Sequence, residues 1–258
     1  MHFDLISDLH CDFWEPEQQI NWTGLPTSLV AVVAGDISRD WSYTYDYLLM
    51  LTHHYRHVIF VDGNHEHDMK IDIWGNSQKL QARLADNDRI SYLCRSTVVL
   101  DDTAFIGCNG WWTYDFAMPE MSRQQCWDML IDENKYDPEF QHSIFQEALA
   151  DAESLVRHMI RANTDPRIRN VVIVTHSAPV IEARWTPPGM PWQHMGRAGN
   201  SLMDKCLKID MNNKTRAWVF GHVHTEFDLT RDGIRYVCHP RGTPAMGSVI
   251  YYPKMVSI

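Results

Sequence analysis

The sequence predicts an α/β protein built around a parallel sheet, and three observations predict it. Short apolar runs rich in Val, Ile and Phe recur along the chain, each stopped by a polar cluster, as expected of strands covered on both faces. A helical segment lies between the second and third runs, the order of a parallel crossover. The 258 residues are 45% hydrophobic, enough for one sizeable core, so residues 1–258 read as a single domain.

The elements follow in order. Residues 3–6 and 29–34 are the first two apolar runs, and residues 43–55 carry Tyr, Leu and Met at helical spacing before the third run at 58–61. Residues 97–100 and 104–108 flank Asp101-Asp102-Thr103 and read as a hairpin. Residues 140–160 read as a long amphipathic helix, with Ile144, Leu149, Ala152, Leu155, Val156 and Met159 on or near one side. Further buried runs follow at 171–174 and 217–220. Residues 227–230 and 234–238 then flank Arg231-Asp232-Gly233, where Asp-Gly is a strong short-range hairpin signal. Residues 185–200 hold three prolines and three glycines and read as a long irregular loop that, with residues 111–121, would set substrate choice.

The formal net charge of −10 disfavours a non-specific grip on nucleic acid, and an acidic excess also suits a site that holds cations. Six scattered cysteines without a C-x-x-C pair look like reduced thiols. The first residues carry no basic stretch followed by an apolar run, and no membrane span is evident. A cytoplasmic protein with no membrane partner is the expectation.

Each buried run ends in residues able to bind a metal: Asp8 and His10, Gly35-Asp36, Gly63-Asn64-His65-Glu66, His176, and Gly221-His222-Val223-His224. In open α/β sheets, sites form at the carboxyl ends of strands, so five distant segments can converge on one site. Mixed imidazole and oxygen donors suit Mn, Fe, Zn, Co or Ni better than Ca or Mg. Asp8 and His10 point to the same side if their segment is extended. The same holds for His222 and His224, which in a tight loop would instead serve different ions.

These five ordered blocks resemble the signature of calcineurin-like metallophosphoesterases and span most of the chain. The resemblance implies a four-layer α/β/β/α sandwich of two mixed sheets, making residues 1–258 a single metallophosphoesterase domain. It also implies two divalent metal ions, manganese ahead of iron, zinc, cobalt or nickel. Asp8, His10, Asp36 and His224 would hold one ion; Asp36, Asn64, His176 and His222 would hold the other, with Asp36 bridging. Such a pair, about 3.5–4 Å apart, clamps a phosphate and aims a bridging hydroxide at phosphorus. His65 is left unligated, as the acid that protonates the departing alkoxide.

The chain departs from the phosphoprotein phosphatases of that superfamily. Asp62 stands where they carry Arg, and the Asp that orients their catalytic His has no clean match, Asp40 being displaced by one position. The resemblance is rather to the small bacterial phosphohydrolases and phosphodiesterases, whose Asn-Pro-Arg-Gly-like loop appears here as His239-Pro240-Arg241-Gly242. The expected function is therefore a metal-dependent phosphodiesterase or phosphatase acting on a small phosphate ester, with nucleotide-derived esters among the candidates. Two other readings stand beside it. One is a nuclease or nucleic-acid end-processing phosphodiesterase whose basic groove would use Arg184, Arg197, Arg231, Arg235 and Arg241. The other is a non-catalytic scaffold that binds protein partners.

Arg241 is a candidate phosphate contact. Trp111 and Trp112 could wall the pocket and stack on an aromatic leaving group, with core packing the alternative. His67 and Asp68 read as solvated loop, with an extension of the site the alternative, and His194 as either a substrate neighbour or exposed. The acidic run 128–137 reads as a solvated helix end, and His2, His53, His54, His57, His142 and His158 as surface residues.

Overall fold

A computed structural model describes residues 1–67, 73–117, 121–132, 138–184 and 192–258. Among the described residues eleven strands form two mixed sheets. The first contains β1 (His2–Ile6), β2 (Val30–Ala34), β3 (His57–Val61), β4 (Ile90–Tyr92) and β11 (Lys254–Ser257), in the order β11-β1-β2-β3-β4. The second contains β5 (Ser96–Leu100), β6 (Thr103–Gly107), β7 (Asn170–Val174), β8 (Thr215–Phe220), β9 (Phe227–Arg231) and β10 (Ile234–Cys238), in the order β5-β6-β7-β8-β10-β9. The inner strands β1, β2 and β3 run parallel, with Leu5 opposite Val32 and Val32 opposite Ile59; β6, β7 and β8 are parallel as well.

Four helices are described: α1 (Trp41–Leu51), α2 (Ile73–Leu84), α3 (Arg123–Asp132) and α4 (Pro138–Thr164). The start of α1 is fixed by Asp40, whose side chain accepts from the Ser42 amide. Both expected hairpins form, and Asp232 and Gly233 each take a positive φ (53° and 80°), the conformation a two-residue turn between twisted strands requires.

The layers follow from what each strand face buries. Phe3, Leu5, Val32, Ile59 and Val61 meet Phe105, Val172, Val174, Ala217 and Val219 between the sheets. On the far side of the first sheet, Val33, Val58 and Phe60 pack under Leu48 and Leu51 of α1 and Leu80 and Leu84 of α2. On the far side of the second, Ile106, Ile173 and Trp218 pack under Ala152, Leu155 and Met159 of α4. The result is the expected helix, sheet, sheet, helix order. With both faces buried, each strand side chain contributes about 1.5–3 kcal/mol, and no polar alternation is left to read.

Three expectations are only partly covered. Residues 133–137 of the acidic run, 118–120 of the first loop and 185–191 of the second lie outside the described residues, as does Asp68. Among the described residues no helix is long and apolar enough to cross a membrane.

Candidate active site

Asp8, Asp36, His176 and His222 each sit two residues beyond the end of β1, β2, β7 and β8, respectively, and Asn64 and His65 follow β3. The chain must turn sharply there to bring the side chains to one point. Asp8, His10, Asp36, His222 and His224 all have positive φ, between 45° and 70°. Outside glycine that conformation costs on the order of 1 kcal/mol per residue, and it persists only where surroundings over-determine it. Here a lattice of hydrogen bonds does so. The amides of Asp8 and His10 donate to the carbonyls of Gly35 and Asp36, both at 3.0 Å. The His222 amide donates to Asp8 Oδ1 (2.8 Å) and the His65 amide to Asp36 Oδ1 (2.9 Å). Gly63 has no alternative at its position, because an added Cβ would collide with the Asp36 carboxylate.

The side chains form two groups that share Asp36. Ligand atoms of Asp8, His10, Asp36 and His224 lie within 4.8 Å of one another, as do those of Asp36, His176 and His222. The Nε2 atoms of His10 and His224 are 2.8 Å apart, and Asp36 Oδ2 lies 3.3 Å from His176 Nε2 and 3.8 Å from His10 Nε2. Asn64 Oδ1 joins the second group, 3.2 Å from His176 Nε2. His65 belongs to neither group. Its side chain is 25% exposed, whereas those of His10 and His176 are fully buried, and its Nε2 stands 4.0 Å from Asp36 Oδ2.

Backbone carbonyls select which nitrogen each ring presents. His176 Nδ1 donates to Ala34 O (2.8 Å), which turns Nε2 toward Asp36 and Asn64. His222 Nε2 donates to Arg197 O (2.9 Å), which leaves Nδ1 for the site. Such outer contacts fix tautomer and orientation in metal-binding histidines.

The electrostatics suit a cation. Burial alone would raise Asp36, yet the charge of His176 and its hydrogen bond hold the carboxyl well below its usual range. Burial works against a charged His176 too, but Asp36 overcomes it and pushes the imidazole up to about 10. Burial keeps His10 and His222 neutral, down to about 4 and about 3, the protonation state a metal needs. Asp8 Oδ2 is buried without a hydrogen-bond partner. Two buried carboxylates whose ion-pair partners among the described residues are all histidines make a donor set that divalent ions fit.

Several residues stand differently from expectation. His67 is not solvated loop: it is 2% exposed, its Nε2 lies 2.5 Å from Asp62 Oδ2, and its ring packs on Trp111. Trp111 is 1% exposed and belongs to the core rather than to an open wall. Trp112 is equally buried but stacks on His222, ring centroids 5.3 Å apart and planes 16° from parallel. Arg241 is also buried; its guanidinium lies over Trp14 at 4.0 Å and donates to Gln18 O. Its own amide and that of Gly242 donate to Ser7 O and Asp8 O, so the loop braces the Asp8 turn through its backbone.

Glu66 lies within its sequence block but takes no role of its own from the sequence alone. Its buried carboxylate accepts from the amides of Gly63 (2.7 Å), Asp36 (3.0 Å), Ile37 (2.7 Å) and Ser38 (3.3 Å), and from the Thr44 hydroxyl (3.3 Å). It ties the turn at Asp36 to the turn at Gly63. Burial, then the Asp36 charge, push it up to about 7 against the pull of those amides.

A family model described as calcineurin-like phosphoesterase matches residues 1–226. Among solved structures, the phosphopantetheinyl hydrolase of Mycobacterium tuberculosis is similar with a TM-score of 0.71 at 16% identity, over 95% of this chain and 90% of that one. A dimetal phosphatase from Danio rerio is similar with a TM-score of 0.50 at 15% identity, over 98% and 90% of the two chains. At such identities the likeness concerns the fold. No curated protein matches the sequence.

Proposed function

Because the chain belongs to the calcineurin-like phosphoesterase family, we propose that it is a dinuclear-metal hydrolase of small phosphate esters, a phosphodiesterase or phosphatase. The observation that carries the reading is the pair of Asp/His groups joined at Asp36. Asp8, His10, Asp36 and His224 would hold one divalent ion, and Asp36, Asn64, His176 and His222 the other, with manganese the first choice. When bound, such ions polarise phosphoryl oxygens and lower the pKa of water. The chain's own part is positional. Asp36 sets the spacing of the two halves, and the Ala34 and Arg197 carbonyls keep His176 and His222 in the binding tautomer. His65 has its backbone pinned to Asp36 and its side chain partly exposed, so it is the group free to face substrate and give a proton to the leaving oxygen.

A small substrate is favoured over nucleic acid because the arginines of a basic groove are engaged elsewhere. Arg231 pairs with Glu182, Arg235 clamps Asp228, Arg184 donates to the Phe116 and Ala117 carbonyls, Arg197 meets His194, and Arg241 is buried. A scaffold role is disfavoured because the strained ligand turns are kept.

The test is hydrolysis of bis-p-nitrophenyl phosphate, p-nitrophenyl phosphate, a nucleotide panel and a phosphopantetheinyl ester by Mn²⁺-loaded protein. His65→Ala is the control and a labelled oligonucleotide the competitor substrate. Metal-dependent turnover lost in His65→Ala supports the reading. No turnover on any ester, with two ions bound, would refute it.

A further inference from the structure

Asn109 follows β6 in the second sheet and is 5% exposed. Its side-chain amide reaches across to the first sheet, donating to the backbone carbonyl of Asp62 (3.0 Å) and to Asp62 Oδ2 (3.3 Å), just beyond the end of β3. Its backbone carbonyl accepts from the amides of His176 (2.8 Å) and Ser177 (3.1 Å), just beyond the end of β7, while its side-chain Oδ1 is buried without a hydrogen-bond partner. One residue thus joins the turn that carries Asn64, through its side chain, to the turn that carries His176, through its backbone, and the Asn64 and His176 side chains meet at 3.2 Å.

Both ends of this bridge are anchored. The Asp62 carboxylate accepts from Tyr92 Oη (2.9 Å) and pairs with His67 Nε2 (2.5 Å). Next to Asn109, the Gly110 amide donates to Asp151 Oδ2 (2.7 Å) of α4, and Asp151 is in turn held by Arg95 (2.6 Å). Among the described residues Asn109 has no hydrogen bond to the turns of Asp8, His10 or His224; the Asp8 and His10 turn is laced instead to the Gly35 and Asp36 carbonyls and to the loop at Arg241 and Gly242. The bridge therefore ends directly on two turns, those of Asn64 and His176, whose side chains both belong to the second group.

We propose that Asn109, joined to Asp62, is a positioning residue for the second-ion set of Asp36, Asn64, His176 and His222, and that its loss weakens that ion selectively. The inference rests on the dinuclear reading above. Because outer-shell partners typically govern metal affinity by about 10–100-fold, the expected loss lies in that range.

The experiment measures bound Mn²⁺ per chain by equilibrium dialysis and elemental analysis, without any substrate. In a His224→Ala background, which disables the first set, Asn109→Ala should weaken the remaining ion by roughly ten-fold or more. In a His222→Ala background, which disables the second set, Asn109→Ala should leave the remaining ion unchanged. Asn109→Ser, which keeps a small polar group, provides the same comparison should the alanine variant fail to fold, with a smaller loss of the same selectivity. Equal effects in the two backgrounds, or none in either, would overturn the proposal. Fewer than two ions on the unmodified chain would overturn the dinuclear reading itself and this inference with it, an outcome distinct from two ions that Asn109 does not influence.

Discussion

Glu66→Gln isolates the contribution of one buried carboxylate to the architecture of the site. Oε1 accepts from Ile37, Ser38 and Thr44, whereas Oε2 accepts from Asp36 and Gly63. The glutamine carbonyl is best placed on the Oε1 side, where it keeps three donors. Its NH₂ then faces the Asp36 and Gly63 amides, leaving both buried N–H groups without an acceptor. Each unsatisfied buried donor costs about 1–3 kcal/mol, so the substitution should cost roughly 4 kcal/mol in total. In a domain of this size that is a fall in Tm of roughly 8–16 °C. Scanning calorimetry of the metal-free protein reads it directly, and Glu66→Ala, which removes all five bonds, should fall further. A Gln variant that melts within about 2 °C of the parent would refute the idea that these amides depend on Glu66.

Other outcomes follow from the same geometry. In the metal-free protein His176 is raised from 6.5 to about 10, so its pairing with Asp36 stabilises fully below pH 6.5 and is lost as pH rises through about 10. Metal uptake must displace that proton, so affinity should climb with pH across this window and calorimetry in buffers of different ionisation enthalpy should show proton release; uptake without release contradicts it. Gly63→Ala should abolish binding of at least one ion, because its Cβ meets the Asp36 carboxylate. Gly233→Ala, whose Cβ would meet nothing within 4 Å, should cost only about 1 kcal/mol, from its φ of 80°, and leave turnover unchanged. Trp112→Ala should cost about 3–5 kcal/mol and loosen the second ion by removing the ring on which His222 stacks, with Trp112→Phe milder on both; equal metal affinity in the alanine variant would contradict that role.

The inner strands were legible because β2, β3 and β7 are uninterrupted apolar runs, and only burial on both faces rewards such runs. By contrast β4 is three residues long, and β11 pairs with β1 across nearly the whole chain, so neither carries a local signal. Helix α2 is too polar to stand out, and its apolar contribution to the core on that side of the first sheet is Leu80 and Leu84. The site followed the same division. Its candidate ligands could be read because metal chemistry restricts residue type. His67 could not, since Asp62 makes a buried imidazole tolerable and that pairing depends on how the turn folds. Nor could Asn109, an ordinary polar residue whose use lies in reaching from one sheet to the other. Glu66 had a signal in its block, but four amides converging on it is a property of the folded turns.

The most direct test of the central claim follows ester turnover against the number of Mn²⁺ ions bound per chain. If the two groups joined at Asp36 act together, turnover should stay near zero up to one ion, rise with the second, and vanish in Asp36→Ala at any loading. Full turnover with one ion bound, or turnover that survives Asp36→Ala, would contradict a shared two-metal centre.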